Sequence, residues 1–158
     1  MWTTSKTLVA GAVLAVASFS AAANAQTYYA GPDRNIERGT EAMMQGDLET
    51  ASKFFHRAAD SNLSKGRLVP LLNNLCAVDY ALGKLDSAQE ACTRAIAEDR
   101  RFWRAYVNRG NVLKAKGDYS DAHRDYAKAV SLKPKSGIAQ RALARLQEEQ
   151  PKLFAAAQ

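Results

Sequence analysis

Small and apolar residues recur along this chain with the spacing of an α-helix face, in three copies. Each copy contains a turn led by a glycine, at Gly46, Gly83 and Gly117, so successive turns lie 37 and 34 residues apart. Offsets of five, nine and twelve residues from each glycine give a small, a larger and a small residue: Ala51, Phe55 and Ala58; Ala88, Cys92 and Ala95; Ala122, Tyr126 and Ala129. These offsets fall on one side of a helix, where the alanines let a neighbouring helix approach closely.

A second set of small residues precedes each turn by seven positions: Gly39, Cys76 and Gly110. Together the two sets predict two antiparallel helices in each copy, which touch at small residues and turn at the glycine. The predicted fold class is all-α, a solenoid of three antiparallel helical hairpins at residues 33–62, 69–99 and 103–134. A period of this size is typical of stacked units that share one continuous core.

A further helix is predicted after the third hairpin. Ser136 is a favourable N-cap, and Pro151 would end the helix. The apolar face of this helix is predicted to consist of Ile138, Ala142 and Leu146. We expect it to cap the solenoid at its C-terminal end. The predicted boundaries are a repeat domain at 33–150, its capping helix at 136–150 and a tail at 151–158.

The third copy has the most detailed signature. It reads Arg104-Ala105-Tyr106-Val107-Asn108-Arg109-Gly110, then Gly117-Asp118-Tyr119, and later Ala122, Tyr126, Ala129 and Pro134. This pattern resembles the tetratricopeptide repeat, a helical hairpin of 34 residues that stacks into a superhelix. The resemblance extends over residues 33–134.

The first two copies depart from this pattern at three points. They lack the closing proline, and the link from Ser61 to Val69 is three residues longer than its counterpart. Asp79 also occupies the position that Leu113 fills in the third copy. The second hairpin is therefore where we expect packing to differ most.

The first 25 residues have the features of a secretory signal peptide. One positive charge within Met1–Lys6 precedes an apolar run from Thr7 to Phe19, and Ala23-Asn24-Ala25 supplies small residues for cleavage before Gln26. An uncleaved anchor is the alternative, but the stretch from Thr7 to Ala23 has 17 residues, fewer than the roughly 20 that span a membrane comfortably. We expect a bacterial signal peptide at 1–25, an extension at 26–32, and a periplasmic or secreted protein without stable membrane insertion.

Composition and charge narrow the classes of function. A chain of 158 residues, 47% hydrophobic and 24% charged, provides one globular domain, which excludes a multidomain machine. The formal net charge of +6, or +5 without Lys6, is a moderate excess that favours an acidic partner.

No motif indicates catalysis, a cofactor or a metal. His56 and His123 lie in different copies, and neither is matched by the nearby Cys, His or carboxylate set that zinc needs. Each is interpreted as a solvated surface histidine. The sequence also lacks a glycine-rich phosphate loop, a nucleophile elbow and a zinc-protease motif. We expect no enzyme activity and no cofactor.

One basic and aromatic run, Arg100-Arg101-Phe102-Trp103-Arg104, raises nucleic acid as a partner, because bases stack on aromatic rings beside arginines. Trp103, however, lies at the start of a predicted helix, where it would pack on the preceding hairpin. An exported protein also rarely meets nucleic acid. We therefore expect no nucleic-acid partner.

The resemblance implies that the first helices line an inner groove that binds peptides or partner helices. Helical spacing places one stripe of residues there: Ile36, Thr40 and Met43; Asn73, Ala77 and Tyr80; Arg104, Val107, Asn111 and Lys114. Some members of the family clamp a peptide carboxylate. Asn74 and Arg104 fit that clamp, but Ile36 and Thr40 stand where its Lys and Asn would be. The predicted partner-binding residues are Asn73, Asn74, Tyr80, Arg104, Asn111 and Lys114, with an ordinary solvated groove wall as the alternative for each.

The two cysteines, Cys76 and Cys92, fall in one hairpin of a chain expected in an oxidising space. Cys76 takes the small position of the first helix and Cys92 the larger position of the second, so both face one interface. We predict a disulfide between them, which requires Cα atoms within about 7 Å. The alternative is a pair of reduced thiols that act as small apolar core residues.

Taken together, the sequence predicts a non-catalytic, exported interaction module whose groove binds a protein or peptide, with the monomer as the favoured state. The alternative is a structural or assembly component of the cell envelope that self-associates hairpin to hairpin at an exposed end.

Overall fold

The computed structural model describes residues 33–154, and all regular secondary structure in that range is helical. The predicted all-α solenoid is confirmed. The predicted signal peptide and N-terminal extension, and the last four residues of the predicted tail, lie outside the described residues. The helices are α1 (Arg34–Met44), α2 (Leu48–Ala59), α3 (Lys65–Ala81), α4 (Leu85–Glu98), α5 (Trp103–Lys116), α6 (Tyr119–Leu132), α7 (Gly137–Glu149) and α8 (Pro151–Phe154).

Consecutive helices pack as three hairpins, α1 with α2, α3 with α4 and α5 with α6. Hairpins stack through α2 against α3 and α4 against α5, and α7 packs on α6. The hairpin turns contain Gly46, Gly83 and Gly117, whose φ angles are 80°, 74° and 87°. Glycine adopts this left-handed conformation without a steric penalty, which explains its place at all three turns.

In each hairpin, the same two positions bring the two helices into close contact. A Cβ atom added to Gly39 would lie 2.6 Å from the Phe55 ring, and one added to Gly110 would lie 2.5 Å from the Tyr126 ring. In the second hairpin the same two positions are Cys76 and Cys92, which are bonded to each other with Cα atoms 5.3 Å apart. The flanking alanines are completely buried: Ala51, Ala58, Ala88, Ala95, Ala122 and Ala129.

The second hairpin begins earlier in the structure than the sequence predicts. Helix α3 starts at Lys65 rather than at residue 69 and has 17 residues, so the extra residues lengthen the helix instead of the link. Val69 is buried and Leu68 packs against the N-terminal core. Burial of these apolar side chains favours an additional helical turn.

The predicted tail also differs. Helix α7 ends at Glu149, but Pro151 then begins the short helix α8, a position where proline is favourable because its missing N–H has no helical acceptor. The Phe154 ring stacks on the His123 ring at a centroid distance of 4.5 Å, so α8 covers part of the C-terminal end. Among residues 33–154, no helix has both the length and the hydropathy needed to cross a membrane.

Candidate interaction groove

A groove of about 590 Å³ lies between the third hairpin and helix α7. Helix α5 forms one wall and α7 the other, with single contributions from α3 and α6. Its lining consists of Tyr80, Val107, Asn111, Lys114, Tyr126, Ile138, Arg141, Ala142, Ala144, Arg145 and Glu148.

Part of the predicted stripe lines this groove. Val107, Asn111 and Lys114 are spaced so that they share one face of α5, and Tyr80 reaches the groove from α3. The structure thus brings Tyr80, Asn111 and Lys114 together, as three of the six predicted partner-binding residues.

The other three predicted residues lie outside the lining. Asn73 is buried, and its Oδ1 accepts a hydrogen bond of 2.9 Å from Asn108 Nδ2. The Arg104 guanidinium lies 4.7 Å above the Trp103 ring, and Asn74 is half-buried on α3. The amide of Asn73 therefore links two neighbouring hairpins, which corrects its predicted role as an exposed groove residue.

Helix α7 contributes groove residues that the sequence interpretation missed. The sequence predicts Ile138 on the apolar packing face, but this residue is 55% exposed and lines the groove, whereas Ala139 is completely buried. The packing face is therefore built on Ala139 and Leu146. As a consequence, Arg141 and Arg145 lie on the groove side of α7. The four-residue spacing of these arginines was the signal that could have revealed them.

Asn111 is held by a buried hydroxyl. Tyr126 OH donates a hydrogen bond of 2.8 Å to Asn111 Oδ1. Burial raises the pKa of Tyr126, and the neighbouring Tyr80, Glu149 and Asp125 add to this effect, so the hydroxyl keeps its proton and remains a donor. With its oxygen used in this way, the Asn111 amide presents its Nδ2 hydrogens to a ligand.

The charges around the groove are mostly basic. Lys114, Arg141 and Arg145 line it together with one acid, Glu148. Lys114 Nζ lies 2.7 Å from Glu149 Oε2, a pair that joins α5 to α7. Within residues 33–154, no carboxylate lies within 4.0 Å of the guanidinium of Arg141 or Arg145. Both arginines are exposed, so their donors are available to a ligand.

A second polar cluster surrounds Asp79, away from this groove. Asp79 is fully buried; its Oδ1 accepts a hydrogen bond of 2.6 Å from Ser52, and its Oδ2 accepts one from Ser87. His56 Nε2 lies 3.1 Å from Asp79 Oδ2. The His56 side chain is 50% exposed, which agrees with its interpretation as a surface histidine. The sequence does not predict its contact with Asp79, because this carboxylate approaches from another hairpin.

The geometry of this cluster favours a structural role. In a nucleophilic triad, the two histidine nitrogens separate the carboxylate from the serine. Here the same Nε2 atom of His56 faces both Asp79 and Ser87, and the Ser87 hydroxyl donates to the carboxylate itself. No described residues form a cluster of three or more His, Cys, Asp and Glu side chains that could hold a metal ion.

Comparison with known proteins identifies the repeat. Residues 103–136 match the family model described as the tetratricopeptide repeat. The chain is 37% identical over 71 residues to a DnaJ homolog subfamily C member 7 homolog of Dictyostelium discoideum, which covers 45% of this chain and 13% of that protein. It is 29% identical over 99 residues to rat RNA polymerase II-associated protein 3, covering 62% of this chain and 14% of that protein. The chain thus spans about one seventh of these relatives.

Solved structures share the fold. The TPR domain of Arabidopsis OM64 superposes with a TM-score of 0.67 at 26% identity, over 73% of this chain and 93% of that domain. The first TPR of Spaghetti (RPAP3), solved with an HSP90 peptide, superposes with a TM-score of 0.68 at 23% identity, over 75% and 91% of the two chains. The likeness thus covers most of the described helices.

Proposed function

We propose, from the premise that this chain carries a tetratricopeptide-repeat domain, that it is a non-catalytic interaction protein whose groove binds an extended segment of a partner protein. The main support for this proposal is that the groove combines exposed apolar side chains with hydrogen-bond donors that lack a partner among the described residues. Ligand-binding surfaces have this combination, since burial of apolar area provides affinity and positioned polar groups orient the ligand.

The distribution of exposed apolar residues supports the groove as the binding surface. Four large apolar side chains are exposed within residues 33–154: Met44, Tyr80, Ile138 and Leu153. Tyr80 and Ile138 both line the groove. Concentrations of exposed apolar groups, bordered by polar ones, mark interaction sites. The peptide complex of Spaghetti (RPAP3) supports the same mode of action.

We further propose that the protein is exported and acts in an oxidising compartment such as the bacterial periplasm. The apolar leader with its small-residue cleavage site supports export. The Cys76–Cys92 bond supports an oxidising location, because structural disulfides persist there and are rare in the cytosol.

A photo-crosslinking experiment tests binding in the groove. A photoreactive amino acid replaces Tyr80 in one variant, and Lys128, which is exposed on α6 and outside the groove, in a matched control. Both variants are expressed in the native host and irradiated. We expect the Tyr80 position to capture a defined segment of another protein and the Lys128 position to capture none of it.

The captured segment is then identified by mass spectrometry and synthesised as a peptide. We expect it to bind the purified protein, and Asn111→Ala with Tyr80→Ala to weaken that binding without loss of helical circular dichroism. Equal capture from both positions, or undiminished affinity in the groove variant, would overturn the proposal. Capture of a second copy of this chain, with a concentration-dependent mass in solution, would favour self-association instead.

A further inference from the structure

We infer that the groove selects a segment with two acidic side chains at alternate positions, bound by Arg141 and Arg145 of helix α7. This inference rests on the proposed function and names the chemistry of the partner. It places the carboxylate-binding site on the capping helix, whereas the sequence suggested Asn74 and Arg104 on the earlier hairpins.

The charge of the groove defines the class of partner. Arg141 and Arg145 are exposed, line the groove and lie beyond 4.0 Å of every carboxylate among the described residues. Lys114 adds a third cation, which Glu149 already engages at 2.7 Å. Arginine binds carboxylates through paired N–H donors. The side chains that complement this wall are therefore Asp and Glu.

The spacing of the arginines determines which positions of the bound peptide carry the acidic side chains. Four residues along a helix correspond to a rise of about 6 Å. Two residues along an extended peptide correspond to about 6.6 Å and place both side chains on the same face. A peptide that lies along α7 thus presents acidic side chains at positions n and n+2 to Arg141 and Arg145. Adjacent acidic residues would point to opposite faces, so one of them would turn away from α7.

The remaining lining residues define the flanks of the segment. Glu148 follows Arg145 by three residues on the same face of α7, so a third acidic side chain at that end would be repelled. Tyr80 and Ile138 offer exposed apolar surface to the segment, and Asn111 offers an amide donor to its backbone. The occupant is therefore an extended segment with two alternate acids and an apolar residue, not a uniformly acidic tail.

Selection from a phage-displayed library of random 12-residue peptides tests this inference. The purified chain is the target, and Arg141→Gln with Arg145→Gln is the test variant. The matched control, Lys53→Gln with Lys128→Gln, removes two exposed charges from α2 and α6. All three proteins should have equal helical circular dichroism, since exposed substitutions rarely affect stability.

We expect the wild type and the control to enrich peptides with acids two residues apart beside an apolar residue, and the Arg141/Arg145 variant to lose this motif. A synthetic peptide with the motif should lose affinity about tenfold or more toward that variant, since hydrogen bonds to charged groups contribute at this level. A peptide in which the two acidic residues are made adjacent should bind the wild type about tenfold more weakly.

Two results overturn the inference and leave the proposed function intact. One is enrichment of neutral or basic peptides whose binding depends on Tyr80; the other is binding of acidic peptides that is unchanged by the two arginine substitutions. If no enriched peptide responds to Tyr80→Ala or to the arginine substitutions, both the inference and the proposed function fail.

Discussion

The backbone of Gly110 lies directly against the ring of Tyr126, so that a Cβ atom at Gly110 would meet two ring carbons at 2.5 and 2.7 Å. Gly39 and Phe55 repeat this relationship in the first hairpin. In both pairs the absence of a side chain on one helix makes room for an aromatic ring from the other. In these two hairpins, this residue pair therefore allows the two helices to approach closely.

The first prediction concerns this pair. Gly110→Ala should lower the free energy of unfolding by about 1–3 kcal/mol, because an added methyl group overpacks a close contact. The helix propensity of alanine opposes this loss by no more than about 1 kcal/mol. Urea denaturation followed by circular dichroism measures the difference. Gly66→Ala is the matched control, since a Cβ atom at Gly66 would meet nothing within 4 Å; equal stability of the two variants would contradict the prediction.

The second prediction concerns the disulfide that replaces this contact in the middle hairpin. Cys76 and Cys92 are 16 residues apart and fully buried, and closing a loop of that size contributes roughly 3 kcal/mol. A reductant should therefore lower the unfolding midpoint of the wild type and leave that of Cys76→Ala with Cys92→Ala unchanged. Thiol counting on denatured, unreduced protein provides the check: two free thiols per chain would rule out the bond.

The third prediction concerns pH. The pKa of Tyr126 is raised in the folded state, first of all by burial, so above about pH 10 the unfolded chain loses a proton that the folded chain keeps. The free energy of unfolding should fall there, by at most about 1.4 kcal/mol per pH unit from this group. Tyr126→Phe lacks the titrating hydroxyl, so its stability should fall less steeply over the same range. Parallel curves for the two proteins would contradict this expectation.

The hairpins could be predicted because the close approach of their two helices requires small residues at fixed positions in the sequence. Small residues at fixed offsets recur in every copy, and glycine occupies the three turn positions where φ is positive, a conformation that glycine adopts without a steric penalty. The start of α3 could not be predicted in the same way. Its first turn has no repeat counterpart and depends on burial of Leu68 and Val69 against the rest of the core.

Residues on one wall of the groove could be predicted from the sequence, and those on the other wall could not. Tyr80, Asn111 and Lys114 belong to repeated helices, for which the pattern predicts a common stripe, although Asn73 and Arg104 of the same stripe lie outside the lining. Helix α7 contains apolar residues at 138, 139, 142, 143, 144 and 146, so the sequence is compatible with more than one packing face. Packing against α6 decides between them, and it leaves Ile138 and the two arginines facing the groove.

The sequence identifies Asp79 as a departure from the repeat pattern but does not predict which side chains contact its carboxylate. Its partners Ser52 and His56 lie 27 and 23 residues earlier, on the preceding hairpin. No periodic signal connects single polar residues on different hairpins, so only the packed structure brings them together.

The last prediction concerns this carboxylate. Asp79→Leu places in the second hairpin the residue that the third hairpin has at this position, Leu113, which is also buried. The substitution nevertheless leaves the hydroxyl of Ser52, which is only 3% exposed, without the acceptor it now has. An unsatisfied buried group costs about 1–3 kcal/mol, so Asp79→Leu should be destabilising by about that amount.

Removing the hydroxyl as well should recover much of this loss. Ser52→Ala with Asp79→Leu eliminates both polar groups, and replacing both partners of a buried hydrogen bond by apolar groups is close to neutral. A double-mutant cycle by urea denaturation should therefore give a coupling energy of about 0.5–3 kcal/mol. His56→Ala is the comparison, and it should cost less than Asp79→Leu because the His56 side chain is 50% exposed. Additive effects of the Ser52 and Asp79 substitutions would show that the buried hydrogen bond does not stabilise the junction of the first two hairpins.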